Sequence, residues 1–141
     1  MSKSYKALFI EDSYADAYLT QTTIGIDGIP LEAHFVKNAL LALEYLSQLP
    51  EQEFPDVIVT DVNMPKMSGY EFIQVYNERF YDNHKNTLVF VVSSSIRYSD
   101  QTLIRELGIV RGYFEKPFSL EAYEKYIKTE LPPACKSMAA A

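Results

Sequence analysis

Val57-Ile58-Val59-Thr60-Asp61-Val62-Asn63-Met64-Pro65-Lys66-Met67-Ser68-Gly69-Tyr70-Glu71-Phe72 passes from one kind of structure to another within sixteen residues. Residues 57–59 form a short, continuous apolar run. Such runs suit strands covered on both faces, as in a parallel sheet. Asp61 follows the run directly, and an ionised side chain placed there needs a reason. Ser68-Gly69-Tyr70-Glu71 then has capping-box form: the Ser68 side chain can accept from the amide three residues on, and Glu71 can reach back. Phe72, Ile73 and Tyr76 give the helix that follows its apolar face.

The same alternation extends in both directions. Further apolar runs lie at residues 7–10, 33–36 (interrupted by His34), 88–92 and 113–114. Between them the spacing predicts helices. The first spans about 13–24, with Tyr14, Tyr18 and Leu19 on one side. Asn38 stands as N-cap to a second, whose Ala39, Ala42, Leu43 and Leu46 share a face. Leu103, Ile104 and Leu107 mark another, closed by Gly108 as its C′ residue. Ser119 caps a last helix, with Leu120, Tyr123 and Ile127 inward. Five strand–helix repeats predict an α/β fold, a doubly wound parallel sheet of five strands with helices on both faces. Residues 4–130 read as one domain. Residues 131–141, with Pro132-Pro133 and a terminal Ala-Ala-Ala, read as a loose tail.

Composition narrows the function classes. The chain has 141 residues, 48 % hydrophobic and 23 % charged, which fits an ordinary globular domain. Thirteen Lys and Arg stand against nineteen Asp and Glu, a formal charge of -6. That balance repels nucleic-acid phosphates and anionic lipid, so neither nucleic acid nor membrane is an expected partner. A single cysteine, Cys135, makes no internal disulfide and fits a reducing compartment. No apolar run approaches the roughly 20 residues needed to cross a bilayer. The expected location is cytoplasmic.

In an open parallel sheet, ligands bind beyond the carboxyl ends of the strands. The first run ends in Glu11-Asp12, the third in Asp61, the fourth in Ser93-Ser94-Ser95 and the fifth in Glu115-Lys116-Pro117. Carboxylates gathered at one edge resist ionising unless a cation offsets them. An oxygen-only cluster suits a hard divalent ion, Mg²⁺ above all. A lysine and a hydroxyl beside it can hold the remaining oxygens of a phosphoryl group. The set is one for phosphoryl transfer, with a carboxylate as the acceptor nucleophile.

On these residues, and above all on the stretch from Asp61 to Phe72, the chain resembles the receiver domain of two-component response regulators, of the stand-alone chemotaxis type. The resemblance implies the flavodoxin-like strand order 2-1-3-4-5. It implies that Asp61 accepts a phosphoryl group from a histidine kinase or a histidine phosphotransfer protein. Mg²⁺, with Mn²⁺ as a substitute, would be bound by Asp12, Asp61 and the backbone carbonyl of Asn63, and by Glu11 through water. Ser93 and Lys116 would hold the phosphoryl oxygens, and a cis peptide between Lys116 and Pro117 would aim the lysine inward. Ser93 and Tyr113 would form the switch that alters a surface for a downstream protein target. Asn63 and Ser95 would flank the path of hydrolytic water. The segment from Gly108 to Lys116 is one residue longer than the common chemotaxis-type pattern. No catalysis on other substrates is implied, only phosphorylation from a donor and slow loss of the group. The chain would act as a monomer or weak homodimer.

Other functions fit less well. A receiver fold that binds without phosphorylation would not need all five key positions filled. A Mg²⁺-dependent aspartyl phosphohydrolase needs a second catalytic aspartate two residues after the first, where this chain has Asn63. A flavoprotein on the same fold would carry a Ser-, Thr- and Gly-rich first loop. Here that loop is Glu11-Asp12-Ser13.

Overall fold

Strand β3 (Val57–Asp61) is buried along its whole length, and the rest of the sheet is built outward from it. The computed structural model describes residues 4–62, 64, 66–94, 105–106 and 108–131. β1 (Tyr5–Ile10), β2 (Leu31–Val36), β4 (Leu88–Ser93) and β5 (Val110–Glu115) join β3 in one sheet of order β2-β1-β3-β4-β5. Every pairing is parallel. The central strands need apolar side chains on both faces, which is why their sequences are continuous rather than alternating. β2, at the edge, is only partly covered.

Two core layers flank the sheet. Leu8, Ile10, Ile58, Val89 and Val91 pack with α2 (Ala39–Gln48) and α3 (Gly69–Arg79) on one face. Ala7, Phe9, Val57, Val59, Phe90, Val92 and Phe114 pack on the other. That second layer takes in Ile24 of α1 (Tyr14–Ile26) and, from the C-terminal helix, Tyr123 and Ile127. This last helix opens as Leu120–Ala122 and continues as a π-helical turn, Tyr123–Ile127. The predicted fold, strand order and placement of helices on both faces are those observed.

The caps read from the sequence are made. Ser68 Oγ accepts from Glu71 N at 3.2 Å, and Ser68 N donates to Glu71 Oε1 at 3.0 Å, a complete capping box. Asn38 Oδ1 accepts from Leu41 N at 2.8 Å, and Ser119 Oγ from Ala122 N at 3.0 Å. Gly108 has φ +77, the left-handed conformation of a C′ residue, and its N–H donates to Arg105 O. Leu103, Ile104 and Leu107 lie outside the described residues, as do Asn63, Ser95 and the tail 132–141.

Three local expectations are corrected. Tyr14, Tyr18 and Leu19 do not face the core; they are 85 %, 66 % and 53 % exposed. The inward arc of α1 runs instead through Asp16, Ala17, Thr20 and Ile24, residues at helical spacing that are buried or half-buried. Leu120 is 36 % exposed rather than inward, whereas Phe118, just before the cap, is buried and set edge-on to Phe9 with centroids 5.6 Å apart. β5 is longer than the apolar pair at 113–114, and its pairing slips: Val89 stands opposite Val110, but Phe90 opposite Gly112. Arg111 is therefore a bulge, which absorbs the additional residue noted between Gly108 and Lys116.

The end of β3 is locked to the start of α3. Gly69 N donates to Val62 O at 2.9 Å, and a Cβ at Gly69 would collide with the Asp61 carbonyl oxygen and touch the Val62 backbone. Since both neighbours are backbone, neither can rotate away. Gly69→Ala is expected to cost roughly 2 kcal/mol or more in urea unfolding, in the range of overpacking substitutions. Gly25→Ala, with nothing within 4 Å of the added carbon, should change stability by well under half of that.

Candidate functional site

Parallel register brings the strand ends level. Ile10 is paired with both Val36 and Thr60, Asp61 with Val92, and Ser93 with Glu115. Single hydrogen bonds carry the pairing just beyond. Glu11 N donates to Val36 O, Val62 N to Val92 O, and Lys116 N to Ser93 O at 2.8 Å. Glu11-Asp12, Asp61, Ser93 and Lys116 thus reach the same edge because each closes or follows a strand in one register.

The Lys116 ammonium is the centre of the site. Its Nζ lies 2.7 Å from Glu11 Oε1, 2.8 Å from Asp61 Oδ2 and 2.9 Å from Asp16 Oδ2. Asp61 and Ser93 are buried, and the Lys116 and Glu11 side chains are only 16 % and 9 % exposed. Burial pulls the ammonium towards its neutral form, but the hydrogen bonds to Asp61, Glu11 and Asp16 outweigh it and hold the proton more tightly than usual. Glu11 is displaced the other way from a typical paired acid. Burial, with the nearby Asp61 charge, holds its carboxyl above the ordinary range despite the Lys116 contact. Its second oxygen, Oε2, accepts from Ser13 N at 3.1 Å, while Ser13 Oγ caps α1 by accepting from Asp16 N. The Lys116–Pro117 peptide is cis.

A metal would find donors here. Oxygens of Glu11, Asp12 and Asp61 all lie within 4.8 Å of one another. The donors are carboxylates only, which suits Mg²⁺ or Mn²⁺ rather than a softer ion. Among the described residues one ammonium stands against this acidic group and Asp16, so negative charge remains there to be offset. The residues present fit a hard divalent cation.

Of the residues expected from sequence, Glu11, Asp61 and Lys116 are in direct contact, Asp12 joins the carboxylate group, and Ser93 ends the neighbouring strand. Tyr113 lies on β5, half-buried and packed against the α2/α3 layer, on the face opposite Phe114. Asp16 is the residue that sequence reading missed. It stands three residues after the Ser13 cap, and that Ser-x-x-Asp spacing at the start of α1 was the available signal.

The family model for the response regulator receiver domain matches residues 7–128. The sensor histidine kinase CheAY of Helicobacter pylori is 33 % identical over 128 residues, which is 90 % of this chain but 15 % of that protein. The response regulator Rcp1 of Synechocystis is 29 % identical over 124 residues, covering 86 % of this chain and 82 % of Rcp1. A Mn²⁺-bound structure of Rcp1 superposes with a TM-score of 0.72, covering 92 % of this chain and 99 % of that one. A two-component response regulator from Cytophaga hutchinsonii superposes with a TM-score of 0.83 at 25 % identity, covering 92 % and 98 %.

Replacing the central cation should expose the cost of the acidic cluster. Lys116→Met leaves Glu11 and Asp61 largely buried without it. With chelator present, the expected loss in urea unfolding is roughly 2–4 kcal/mol at pH 7. The Lys116 contacts lower the Glu11 pKa, so in Lys116→Met the carboxyl is held further above its ordinary 4.5 than in the wild type. A carboxyl raised in the folded state contributes stability that is present below its ordinary value and lost as pH rises through the folded one, so the variant loses more than the wild type by pH 7 and the deficit should shrink at pH 4. An equal deficit at both pH values would show that Lys116 acts by packing alone.

Proposed function

The chain belongs to the response regulator receiver domain family, and from that premise we propose that it is a phosphoacceptor in a two-component relay, with Asp61 as the acceptor. The observation that carries the reading is the buried Asp61 carboxylate at a strand end, held by Lys116 and within reach of two further carboxylates. An Asp61 oxygen attacks the phosphorus of a phosphohistidine. The new bond is O–P, the P–N bond breaks, and the imidazole of the donor leaves with its electron pair and takes up a proton. Asp12 and Asp61, with the Asn63 carbonyl, would hold Mg²⁺ or Mn²⁺ directly. Glu11, whose Oε2 is already held by Ser13 N, would act through water. When bound, the ion supplies positive charge that offsets the phosphoryl oxygens and orients them.

The protein's own residues do the rest. Lys116 pairs with phosphoryl oxygens that take the place of the carboxylate oxygen it now holds. Ser93, buried at the end of β4, turns its hydroxyl to the same group. Tyr113 then moves into the space released, which alters the surface presented to a downstream protein. Ser95 and Asn63, which lie outside the described residues, would flank the route of water and set how long the group persists. The donor is a histidine kinase or phosphotransfer protein, and the site of action is cytoplasmic. Among the described residues no helix is long and apolar enough to cross a membrane.

Incubation with a small acyl-phosphate donor and Mg²⁺ should add one phosphoryl mass, read by intact-protein mass spectrometry. Asp61→Asn should abolish it, and Asp12→Ala should lower Mg²⁺ affinity at least tenfold. Lys116→Ala should still be phosphorylated, but the phosphorylation-induced NMR shift at Tyr113 should be lost. Phosphorylation of Asp61→Asn to the wild-type extent would refute the assignment.

A further inference from the structure

We propose that Asp16 is a positioning residue that keeps the Lys116 ammonium when a divalent cation takes the other carboxylates, and so governs how readily the cation enters. The inference rests on the phosphoacceptor reading above. Lys116 Nζ lies at hydrogen-bond distance from oxygens of Glu11 and Asp61. Those two residues also belong to the group of carboxylates that would receive the metal. An ammonium and a divalent ion repel each other, so both cannot be held tightly by the same oxygens. Metal entry therefore requires Lys116 to loosen its hold on Asp61 and Glu11.

Asp16 is the partner the metal does not need. It lies outside the group formed by Glu11, Asp12 and Asp61, yet its Oδ2 is 2.9 Å from Nζ. Its side chain is 40 % exposed, at the rim, so an ammonium paired there stays near water. Its position is fixed from both sides. Ser13 Oγ accepts from the Asp16 N–H, and Ser13 N donates to Glu11 Oε2. α1 is turned so that Asp16 faces the site while Tyr14 and Tyr18 face solvent. With Asp16 removed, the ammonium either stays on Glu11 and Asp61 and competes with the metal, or leaves unpaired.

A plain field effect makes a rival prediction, because any lost negative charge near a cation weakens binding. A double-mutant cycle separates the two. Mg²⁺ affinity is measured by calorimetry at pH 7 on the full chain, its Asp16→Asn and Lys116→Met variants, and the double variant. The proposal expects Asp16→Asn to weaken Mg²⁺ binding about fivefold when Lys116 is present and less than twofold in Lys116→Met, as for residues that act through contact. An equal loss in both backgrounds, or no loss with Lys116 present, overturns it. A second readout needs no Lys116 variant. The exchange-protected ammonium signal of Lys116 in ¹H–¹⁵N NMR should survive Mg²⁺ saturation in the wild type and vanish in Asp16→Asn; the same behaviour in both overturns the proposal. Absence of saturable Mg²⁺ binding in the wild type would instead remove the phosphoacceptor reading, and this inference with it.

Discussion

One ammonium group holds the working edge of this protein together. Among the described residues Lys116 reaches into an edge that carries more negative than positive charge and pairs with Glu11, Asp16 and Asp61 at 2.7 to 2.9 Å. Each pair joins two elements: β5 to the loop after β1, β5 to α1, and β5 to the end of β3. Carboxylates this close would repel one another and shed their charge if left alone. The lysine lets them remain a charged, cation-ready group. Among the described residues its one positive charge does not balance the acidic group, whose carboxylate oxygens suit a hard divalent ion.

The fold supplies the geometry and little else at this edge. Two apolar layers clamp a five-stranded parallel sheet, and parallel register brings the strand ends level. The lock between Gly69 and the backbone of Asp61 and Val62 leaves β3 no freedom at the residue that matters. The bulge at Arg111 takes up one residue of β5 before the pairing of Tyr113 with Val91 and of Ser93 with Glu115 resumes. Lys116 then follows at the right height, with its N–H on Ser93 O. The apolar packing lies in the two layers, and the charged groups gather at the rim.

Much of this was legible in the residues. Continuous apolar runs name buried parallel strands, and the Ser68–Glu71 capping box is formed as its letters predict. The carboxylates, the hydroxyl and the lysine at the strand ends could be gathered from topology alone, since a parallel sheet puts those ends on one edge. Asp16 could not be found in that way. It sits inside a helix whose apolar residues are scattered around its circumference, so no hydrophobic stripe announces which way α1 faces. In the fold Asp16 is held by contacts to the Ser13 cap and to Lys116, one hundred residues away in sequence. The same blindness placed Tyr14, Tyr18 and Leu19 on the wrong side. Leu120 was misread because periodicity cannot tell that Phe118, just before the cap, is the buried residue instead. The Arg111 bulge left a trace only as one residue too many.

A crystal structure of the protein with Mn²⁺, located by its anomalous signal, tests the account most directly. The account predicts a single ion at the strand ends, bound by Asp12 and Asp61, with the Lys116 ammonium withdrawn from Asp61 Oδ2. An ion elsewhere on the molecule, or Lys116 still seated 2.8 Å from Asp61 with no metal beside it, would contradict the claim that this edge is built to exchange one cation for another.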